Sequence, residues 1–321
     1  TDAAVIIDGG TTALIIAAST IVGDLTLTSG HASGITDSGT VTVGGDLAAT
    51  TDAGNGVIDM DQLAVDGSIA LVTNGNGAAT VVNDAAIEFA ASTVRGALTA
   101  TATTGDITDS GTLTITGASV FTTRVDGSNI VLDSSANAFA AAVTMKADTG
   151  GDETFGNITF VDSAAVKLHS SAGTNGDLFI DAGTDLAVGG NLSITATTGN
   201  ITQGSEVAVG GTTTLVTSAN EATITLNDAD NAFTGALTIT TNDNSGTDAD
   251  VIIDGGTTAL IIAASTIDGD LTLTSGATAG ITDSGTVTVG GDLAATTDAG
   301  NGVIDMGTLA VDGTVALTTN G

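Results

Sequence analysis

Two long stretches of this sequence, residues 2–75 and 248–321, are near-identical copies that lie 246 residues apart. They differ at ten of their 74 aligned positions. A repeat this long and this clean is typical of an array in which each unit stacks on its neighbours. We therefore expect residues 1–321 to form a single continuous solenoid segment, a window on a longer periodic chain. The two copies would then be the overlap of a 246-residue super-repeat.

Apolar residues alternate with polar ones in short segments along the whole chain, as at Leu25 and Leu27 or Leu192 and Ile194. Gly, Asp, Asn and Ser separate these segments. A period of two, interrupted by turn residues, indicates many short strands and almost no helix. The apolar fraction of 41% includes no Trp, Tyr or Cys, and Val, Ile, Leu and Ala provide most of it. Such side chains suit a narrow, repetitive interior.

A finer repeat lies within the large one, because the string ITDSGT begins at Ile35, Ile107 and Ile281, with the variant ITQGSE at Ile201. Units of this kind recur about every 25 residues, each with roughly three short strands. This pattern predicts an all-β fold, a parallel β-helix (β-solenoid) of about 20–28 residues per coil and roughly 13 coils. The alternative is a string of antiparallel β-sandwiches, for which the repeat is too short and the aromatic core residues are missing.

A second signature ends in phenylalanine: VVNDAAIEF, VLDSSANAF and ITLNDADNAF end at Phe89, Phe139 and Phe233. The three rings recur at one place in the motif. We expect them to fill the interior of the solenoid at a corner.

The formal charge is −33, from 37 acidic and only four basic residues. Nucleic acids and anionic membrane surfaces both require a basic footprint, so we predict no nucleic-acid partner. The longest apolar run, residues 13–18, is far shorter than the roughly 18 residues of a membrane helix, so we also predict no membrane insertion. The lack of cysteine excludes disulfides and thiolate zinc sites.

Clusters of Asn and Asp mark several corners, and the richest contains Asn227, Asp228, Asp230 and Asn231. Oxygen ligands of this kind suit calcium, which makes these four residues the candidate metal site. The alternative is that they stabilise the corner through hydrogen bonds from side chain to backbone. No other cofactor is indicated.

Catalysis has little support in the sequence. His31 and His169 stand alone, and no set of Ser, His and Asp can be assembled around them. Paired aspartates could serve a β-helical polysaccharide lyase or hydrolase, but a sugar cleft normally has aromatic platforms, and this chain has no Trp or Tyr. We predict that the protein is not an enzyme, with the lyase or hydrolase as the remoter alternative.

The strings GDLTLTSG, GDITDSGTLTITG, GNITQGSEVAVGGTTTL and ATITLNDADNAFTGALTIT resemble the repeats of large bacterial secreted adhesins of the filamentous-haemagglutinin type. The resemblance covers most of the chain. It implies a right-handed parallel β-helix on the bacterial cell surface or outside the cell.

These observations together predict a non-catalytic shaft or filament-forming segment of an extracellular bacterial repeat protein, an adhesin or a fibre. Its partners would be other copies, stacked end to end, or neighbouring repeats of the same long chain, with host-surface or matrix glycans as further partners. The alternative is a surface-layer or biofilm-matrix protein that assembles through calcium.

Overall fold

The computed structural model describes residues 3–147, 156–169, 177–180, 186–242, 244, 248–298 and 301–320. The chain forms two compact units, Thr1–Gly156 and Asn157–Gly321. Within the described residues each unit consists of short strands and contains no helix, and all the strand pairs with a described register are parallel.

Each coil of the solenoid has two kinds of arm. A straight arm is one strand of four or five residues with alternating inward and outward side chains, as in Leu25–Ser29. A bent arm is two shorter strands with a bend between them, as in Ile35–Asp37 and Val41–Val43. Leu25 pairs with Leu47, which lies 22 residues later, one coil further along. The predicted three short strands per coil are therefore confirmed.

Seven consecutive arms, straight at both ends and alternating in between, make up what we call a run. Run 1 contains β1 (Val5–Asp8), β2 (Leu14–Ile16), β3 (Ser19–Ile21), β4 (Leu25–Ser29), β5 (Ile35–Asp37), β6 (Val41–Val43), β7 (Leu47–Thr51), β8 (Ile58–Val65) and β9 (Ser68–Val72). Run 2 contains β10 (Ala79–Asn83), β11 (Ile87–Phe89), β12 (Ser92–Val94), β13 (Leu98–Ala102), β14 (Ile107–Asp109), β15 (Leu113–Ile115), β16 (Ser119–Thr123), β17 (Ile130–Leu132), β18 (Ala138–Phe139) and β19 (Val143–Lys146).

The second unit contains two more runs. Run 3 contains β20 (Ile158–Asp162), β21 (Val166–His169), β22 (Asp177–Ile180), β23 (Leu186–Val188), β24 (Leu192–Ala196), β25 (Ile201–Gln203), β26 (Val207–Val209), β27 (Thr213–Thr217), β28 (Ile224–Leu226), β29 (Ala232–Phe233) and β30 (Leu237–Thr240). In its first bent arm, β21 and β23 pair with the two strands of the next bent arm, and β22 is an additional strand between them. Run 4 contains β31 (Val251–Asp254), β32 (Leu260–Ile262), β33 (Ser265–Ile267), β34 (Leu271–Ser275), β35 (Ile281–Asp283), β36 (Val287–Val289), β37 (Leu293–Thr297), β38 (Ile304–Asp305), β39 (Leu309–Val311) and β40 (Val315–Thr319).

Within a run, like arms stack on like arms. In run 1 the straight arms β4, β7 and β9 stack in register, and their inward residues Leu25, Leu47 and Ile69 form a column that is at most 1% exposed. Burial of such aliphatic side chains contributes roughly 1.5–3 kcal/mol each. The outward positions carry Thr or Ala, which tolerate solvent on a strand surface.

Within the first unit, run 2 is offset from run 1 by half a coil. Because every run begins and ends with a straight arm, β9 is followed directly by β10, and the alternation of arms is reversed from there on. The straight arm β9 consequently stacks on the bent arm of β11 and β12, where Ile69 pairs with Phe89 and Val72 with Thr93. On the opposite face, the bent arm β8 meets the straight arm β10.

The second unit repeats this arrangement between runs 3 and 4. Here β30 stacks on the bent arm of β32 and β33, with Leu237 against Ile262 and Thr240 against Thr266. The straight arm β31 stacks on β28. Each unit thus contains one described junction of the same kind.

Corners are closed by side-chain clamps and by glycine. The buried hydroxyls of Thr51, Thr73 and Thr217 donate to backbone carbonyls four or five residues later, at 2.7–3.1 Å. Gly34 has a φ of +65°, and a Cβ there would lie 1.8 Å from the carbonyl oxygen of Val57 in the next coil. Only glycine fits that close approach.

The three phenylalanines of the second signature lie in the interior, as predicted: Phe89, Phe139 and Phe233 are at most 3% exposed. Phe121 lies between Phe89 and Phe139 and contacts each edge to face, with ring centroids 6.2 Å apart. Such pairs stabilise a core beyond their area alone.

The fold prediction is confirmed, because parallel strands stack as β-solenoid coils, about 13 in all. Paired strands are commonly 20–27 residues apart, from Val251 and Leu271 to Ile224 and Val251. One coil is longer, since Ile158 pairs with Leu192. The prediction that residues 1–321 form one continuous solenoid stays a prediction. No helix capable of crossing a membrane occurs in the described part of the chain.

Candidate functional site at the run junctions

The predicted calcium ligands lie at a corner of run 3, and the amide group of one of them is already hydrogen-bonded within the protein. Asn231 is 1% exposed, and its Oδ1 accepts hydrogen bonds from the Val207 amide at 2.8 Å and from Gln203 Nε2 at 2.9 Å. Its Nδ2 donates to Gln203 Oε1 and to the carbonyls of Leu226 and Asp254. The Asn231 amide is therefore used in holding three coils together.

The other three predicted ligands are nearer the solvent. Asn227 and Asp230 are exposed, and Asp228 Oδ1 accepts the Asp230 amide at 3.0 Å, a local turn bond. These contacts fit the corner-stabilising alternative. The calcium site itself stays a prediction. Among the described residues, no three His, Cys, Asp or Glu side chains are grouped as metal ligands.

The aspartate of the ITDSGT motif holds the bend of the following coil. Asp37 accepts the Gln62 amide at 2.9 Å, Asp109 accepts the Asp133 amide at 2.8 Å, and Asp283 accepts the amides of Gly307 and Thr308. The motif is therefore a structural bracket between coils.

Burial raises the pKa of Asp37 above its usual range, and the nearby charge of Asp61 adds to this, while the Gln62 amide opposes it. Burial likewise raises the pKa of Asp254, opposed by the Gly256 amide and reinforced by Asp298 and Asp228. Both carboxyl groups are half-buried, and the interactions that shift their pKa values include other carboxylates but no basic side chain.

A ladder of aspartates follows another corner of run 4. Asp250 Oδ1 accepts the Asp270 amide at 2.8 Å, Asp270 Oδ1 accepts the Asp292 amide at 2.7 Å, and Asp292 Oδ1 accepts the Thr314 amide at 2.6 Å. The bond from Thr314 lowers the pKa of Asp292. Like charges are thus stacked about 4.8 Å apart, one per coil.

The two described junctions share a hydroxyl bridge that joins unlike arms. Where β9 meets the bend before β12, the Leu71 amide donates to Ser92 Oγ at 3.0 Å, and that hydroxyl donates to the Ala90 carbonyl at 2.9 Å. Ser265 does the same between the Ile239 amide and the Ala263 carbonyl, at 3.0 and 2.9 Å. At the bend no backbone carbonyl accepts the amide of the straight arm, and the serine hydroxyl accepts that hydrogen bond instead.

Sequence reasoning missed these serines, although a signal was present. Both lie in the tetrapeptide AAST, which occurs at residues 17–20, 90–93 and 263–266. An isolated serine in an alternating strand looks like an ordinary polar position. Its role depends on which arm lies beneath it.

Two open grooves lie beside the junction of the first unit, where arms of different shape meet. One, of about 350 Å³, lies next to β9, and the other, of about 210 Å³, lies next to β8 and β10. The first is lined by Thr50, Thr51, Asp52, Val72, Thr73, Asn74, Thr93 and Arg95. The second is lined by Thr40, Asp61, Gln62, Leu63, Val82, Asp84 and Thr103.

The chemistry of the grooves is that of a polar surface. The first combines the Arg95 guanidinium with the Asp52 carboxylate and threonine hydroxyls, and the second carries two carboxylates. At the junction of the second unit, Asp268 takes the place of Arg95, since each donates its amide to the clamp threonine below it, Thr241 or Thr73. The charge at that position therefore reverses while the junction geometry is kept.

The isolated histidines form no site in the described residues. His31 accepts the Ser33 amide on Nδ1 at 3.0 Å at an exposed corner, which fits a turn residue. The side chains of His169 and Lys167 lie outside the described residues.

A family model described as repeats of unknown function (DUF5649) matches four segments of the chain, residues 2–76, 76–146, 155–240 and 248–307. No curated protein and no solved structure matches the chain in the corresponding comparisons. The first three segments coincide with runs 1 to 3, and the fourth covers run 4 from β31 to β38. The seven-arm run is therefore the structural form of the repeat.

Proposed function

We propose that this chain, which belongs to the DUF5649 family of repeats of unknown function, is a non-catalytic shaft or filament-forming segment of an extracellular bacterial repeat protein, an adhesin or a fibre. Its work is mechanical. Ladders of backbone hydrogen bonds and a stacked aliphatic interior hold the arms, and binding regions would lie elsewhere in such a protein.

The observation that carries this proposal is the junction. Within each unit one run follows the other without a linker between their arms, because the last straight arm of the earlier run is covered by the first bent arm of the later run. Such arrays can be lengthened run by run, as repeat proteins are, since each run contacts only its neighbours. A shaft needs this property, and an enzyme does not.

Charge supports the same function. A formal charge of −33 keeps neighbouring shafts apart laterally and soluble outside the cell. The resemblance to filamentous-haemagglutinin-type adhesins supports the extracellular bacterial location. Host-surface or matrix glycans are the partners that an adhesin would present.

Surface exposure on intact cells tests the proposal. An antibody raised against the 321-residue chain should label intact cells that make the protein, and added protease should remove the label without lysis. A cytoplasmic control protein should resist the protease. Labelling that requires permeabilised cells would refute the extracellular shaft.

A calcium-dependent surface-layer or matrix protein is the second candidate, favoured by the ladder of Asp250, Asp270 and Asp292. Closely stacked carboxylates attract divalent cations, and calcium prefers such oxygen ligands. Chelator treatment separates the two candidates. A lateral lattice should dissolve on chelation and re-form with calcium but not with an equal ionic strength of sodium, whereas a covalent shaft should stay on the cell.

A further inference from the structure

The larger of the two open grooves lies on the outer surface of the first unit and is lined by Arg95, one of only four basic residues in the chain. It spans the junction of runs 1 and 2, and described coils continue on both sides of it. Its volume of about 350 Å³ is at the lower end of the range for ligand pockets, about 300–1,000 Å³. The groove is therefore large enough for one small polar ligand or for one unit of a polymer.

The Arg95 guanidinium is not needed to build the junction. Only the backbone amide of Arg95 takes part, by donating to Thr73 Oγ1 at 2.9 Å. At the junction of the second unit the Asp268 amide donates to Thr241 Oγ1 at 3.0 Å, so an acidic residue serves at the same position. Within the described part of the chain, the Arg95 guanidinium forms no hydrogen bond and no ion pair. A charged group with five donors is thus left for a ligand.

Three successive coils each contribute two lining residues to the groove, at positions two residues apart: Thr50 and Asp52, Val72 and Asn74, and Thr93 and Arg95. Val72 pairs with Thr50 on one side and with Thr93 on the other, so these three side chains form a column across the strands. Asn74 Nδ2 donates to the Asp52 carbonyl at 2.8 Å, at the adjoining corners. The corner residues therefore form a second column beside the first.

The two charged residues of the groove stand at opposite ends of the corner column. Two strand spacings, together about 10 Å, separate the backbones of Asp52 and Arg95, and Asn74 lies between them. No ion pair joins the two side chains in the described structure. The groove therefore has a guanidinium that attracts a carboxylate at one end and a carboxylate that accepts hydroxyl groups at the other.

The floor between these ends is partly apolar. Val72 is 39% exposed, and it is flanked by the half-buried side chains of Thr50 and Thr93. No hydrogen bond of either threonine hydroxyl is found among the described residues. A small apolar patch between hydroxyls and charged ends suits a ring that has C–H groups on its face and hydroxyls on its rim. A pyranose sugar has that chemistry.

We propose that this groove binds one carboxylated sugar of a glycan, a uronate unit. The sugar carboxylate lies on the Arg95 guanidinium, its hydroxyls on Asp52 and Thr50, and its C–H face on Val72. The guanidinium fork gives the preference for a charged sugar, because it donates two parallel hydrogen bonds to one carboxylate. This rests on the proposed function in that it names the class of glycan that the shaft would contact.

The affinity for a single sugar unit should be low. The chain has no Trp or Tyr, so Val72 is the main apolar contact in the groove lining. A ligand of this size at ordinary efficiency binds with a Kd of about 1 mM. The formal charge of −33 opposes an anionic ligand at long range, but exposed charges more than about 8 Å away are largely screened at physiological ionic strength. The local charge at Arg95 then decides.

A ligand-observed NMR titration of the whole 321-residue chain tests the site. The probes are methyl glucuronoside and methyl glucoside, which differ only in that a carboxylate replaces a hydroxymethyl group. We expect the glucuronoside to bind about tenfold more tightly than the glucoside, because only the first engages the guanidinium fork. Equal affinities, or no binding of the glucuronoside, would overturn the proposal and leave the cell-surface test of the shaft unaffected.

Variants at two arginines separate the site from a general effect of charge. Arg95→Gln should abolish the preference for the glucuronoside, and Arg95→Lys should retain part of it, since lysine keeps the charge but not the fork. Arg124→Gln is the matched control, because it removes the same charge from an exposed arginine outside the groove lining. It should leave both affinities unchanged. Equal weakening by Arg95→Gln and Arg124→Gln, with unchanged circular dichroism, would refute the site.

An acidic peptide is another source of a carboxylate. A short peptide with one glutamate, capped at both ends, serves as the third probe. It should bind about tenfold more weakly than the glucuronoside, because it has no hydroxyls for Asp52 and Thr50 to bind. Equal or tighter binding of the peptide would assign the groove to a protein partner and overturn the glycan proposal.

Discussion

The amide of Leu71 donates to the hydroxyl of Ser92 at 3.0 Å, in a sheet whose strands are held mainly by backbone hydrogen bonds. Ser92→Ala would leave that amide buried without an acceptor. We expect a loss of about 1–3 kcal/mol in the free energy of unfolding, measured by chemical denaturation. Hydrogen exchange at the Leu71 amide should accelerate as well. Ser38→Ala is the matched control, because no side-chain hydrogen bond is described for Ser38, and an equal loss there would contradict the bridge.

The hydroxyl of Thr213 is buried and has no hydrogen-bond partner in the described part of the chain. Thr213→Val keeps the shape and removes the unsatisfied group, so the unfolding free energy should rise by about 1 kcal/mol. Thr217→Val is the opposite case, because its hydroxyl donates to the Ala222 carbonyl at 3.1 Å. Thermal unfolding should show an increase for the first variant and a decrease for the second. A decrease in both would show that Thr213 has a partner in solution.

Two substitutions at Asp270 distinguish the effect of its charge from the effect of its hydrogen bond in the aspartate ladder. Asp270→Asn retains the oxygen that accepts the Asp292 amide and removes a charge stacked between Asp250 and Asp292. It should raise the melting temperature at low salt, and the gain should shrink as salt screens the ladder. Asp270→Ala removes the acceptor as well and should lower the melting temperature. A gain from both variants would mean that the hydrogen bond contributes nothing.

Acidity should affect Asp37 and Asp292 in opposite senses. Burial raises the pKa of Asp37 in the folded state, so its ionisation opposes folding. That penalty is complete above the folded pKa and vanishes below the unfolded pKa, so stability from this group falls as pH rises through that window. Asp37→Asn should therefore stabilise at pH 7 and have no effect in strong acid.

The pKa of Asp292 is lowered in the folded state by its bond from Thr314, so its contribution to stability is present above the unfolded pKa. It is lost as pH falls through the folded pKa. Asp292→Asn should consequently destabilise the folded protein at pH 7 and have no effect on its stability in strong acid. Melting curves of both variants between pH 7 and pH 2 would check the signs, and parallel curves would contradict the assigned causes.

Glycine at two corners distinguishes backbone strain from a clash between coils. Gly34 and Gly54 have nearly the same φ, +65° and +63°. A Cβ at Gly34 would lie 1.8 Å from the Val57 carbonyl, whereas a Cβ at Gly54 meets nothing within 4 Å. Gly54→Ala should cost about 1–2 kcal/mol, and Gly34→Ala should cost clearly more or prevent folding. Equal losses in chemical denaturation would show that the coils can move apart.

Sequence reasoning could predict the coil but not the junction. Alternation at residues such as Leu25 and Leu27 determines which side chains face inward, and a parallel stack follows from the spacing of the units. The placing of Phe89, Phe139 and Phe233 was predictable for the same reason. All of these depend on one coil and its immediate copy.

The position of a junction depends on the number of arms in a run, and that number is hard to read from the sequence. Residues 58–65 look like one strand, yet β8 performs as a bent arm with a bulge at Asp61 and Gln62, where two successive side chains face outward. The corner asparagines were uncertain for a related reason. Asn231 is a ligand candidate by composition, and only the neighbouring coils reveal that Gln203 and the Val207 amide already occupy it.

Seven is an odd number, and this gives each run a parity. In a continuous stack joined by such junctions, adding or deleting one run would move every later bent arm to the opposite face, whereas adding or deleting two would restore it. Chains that differ in length by a single run would thus present the same surface on opposite sides from nearly the same sequence. Recombination can therefore change which side of the protein a feature faces without altering a single residue of that feature.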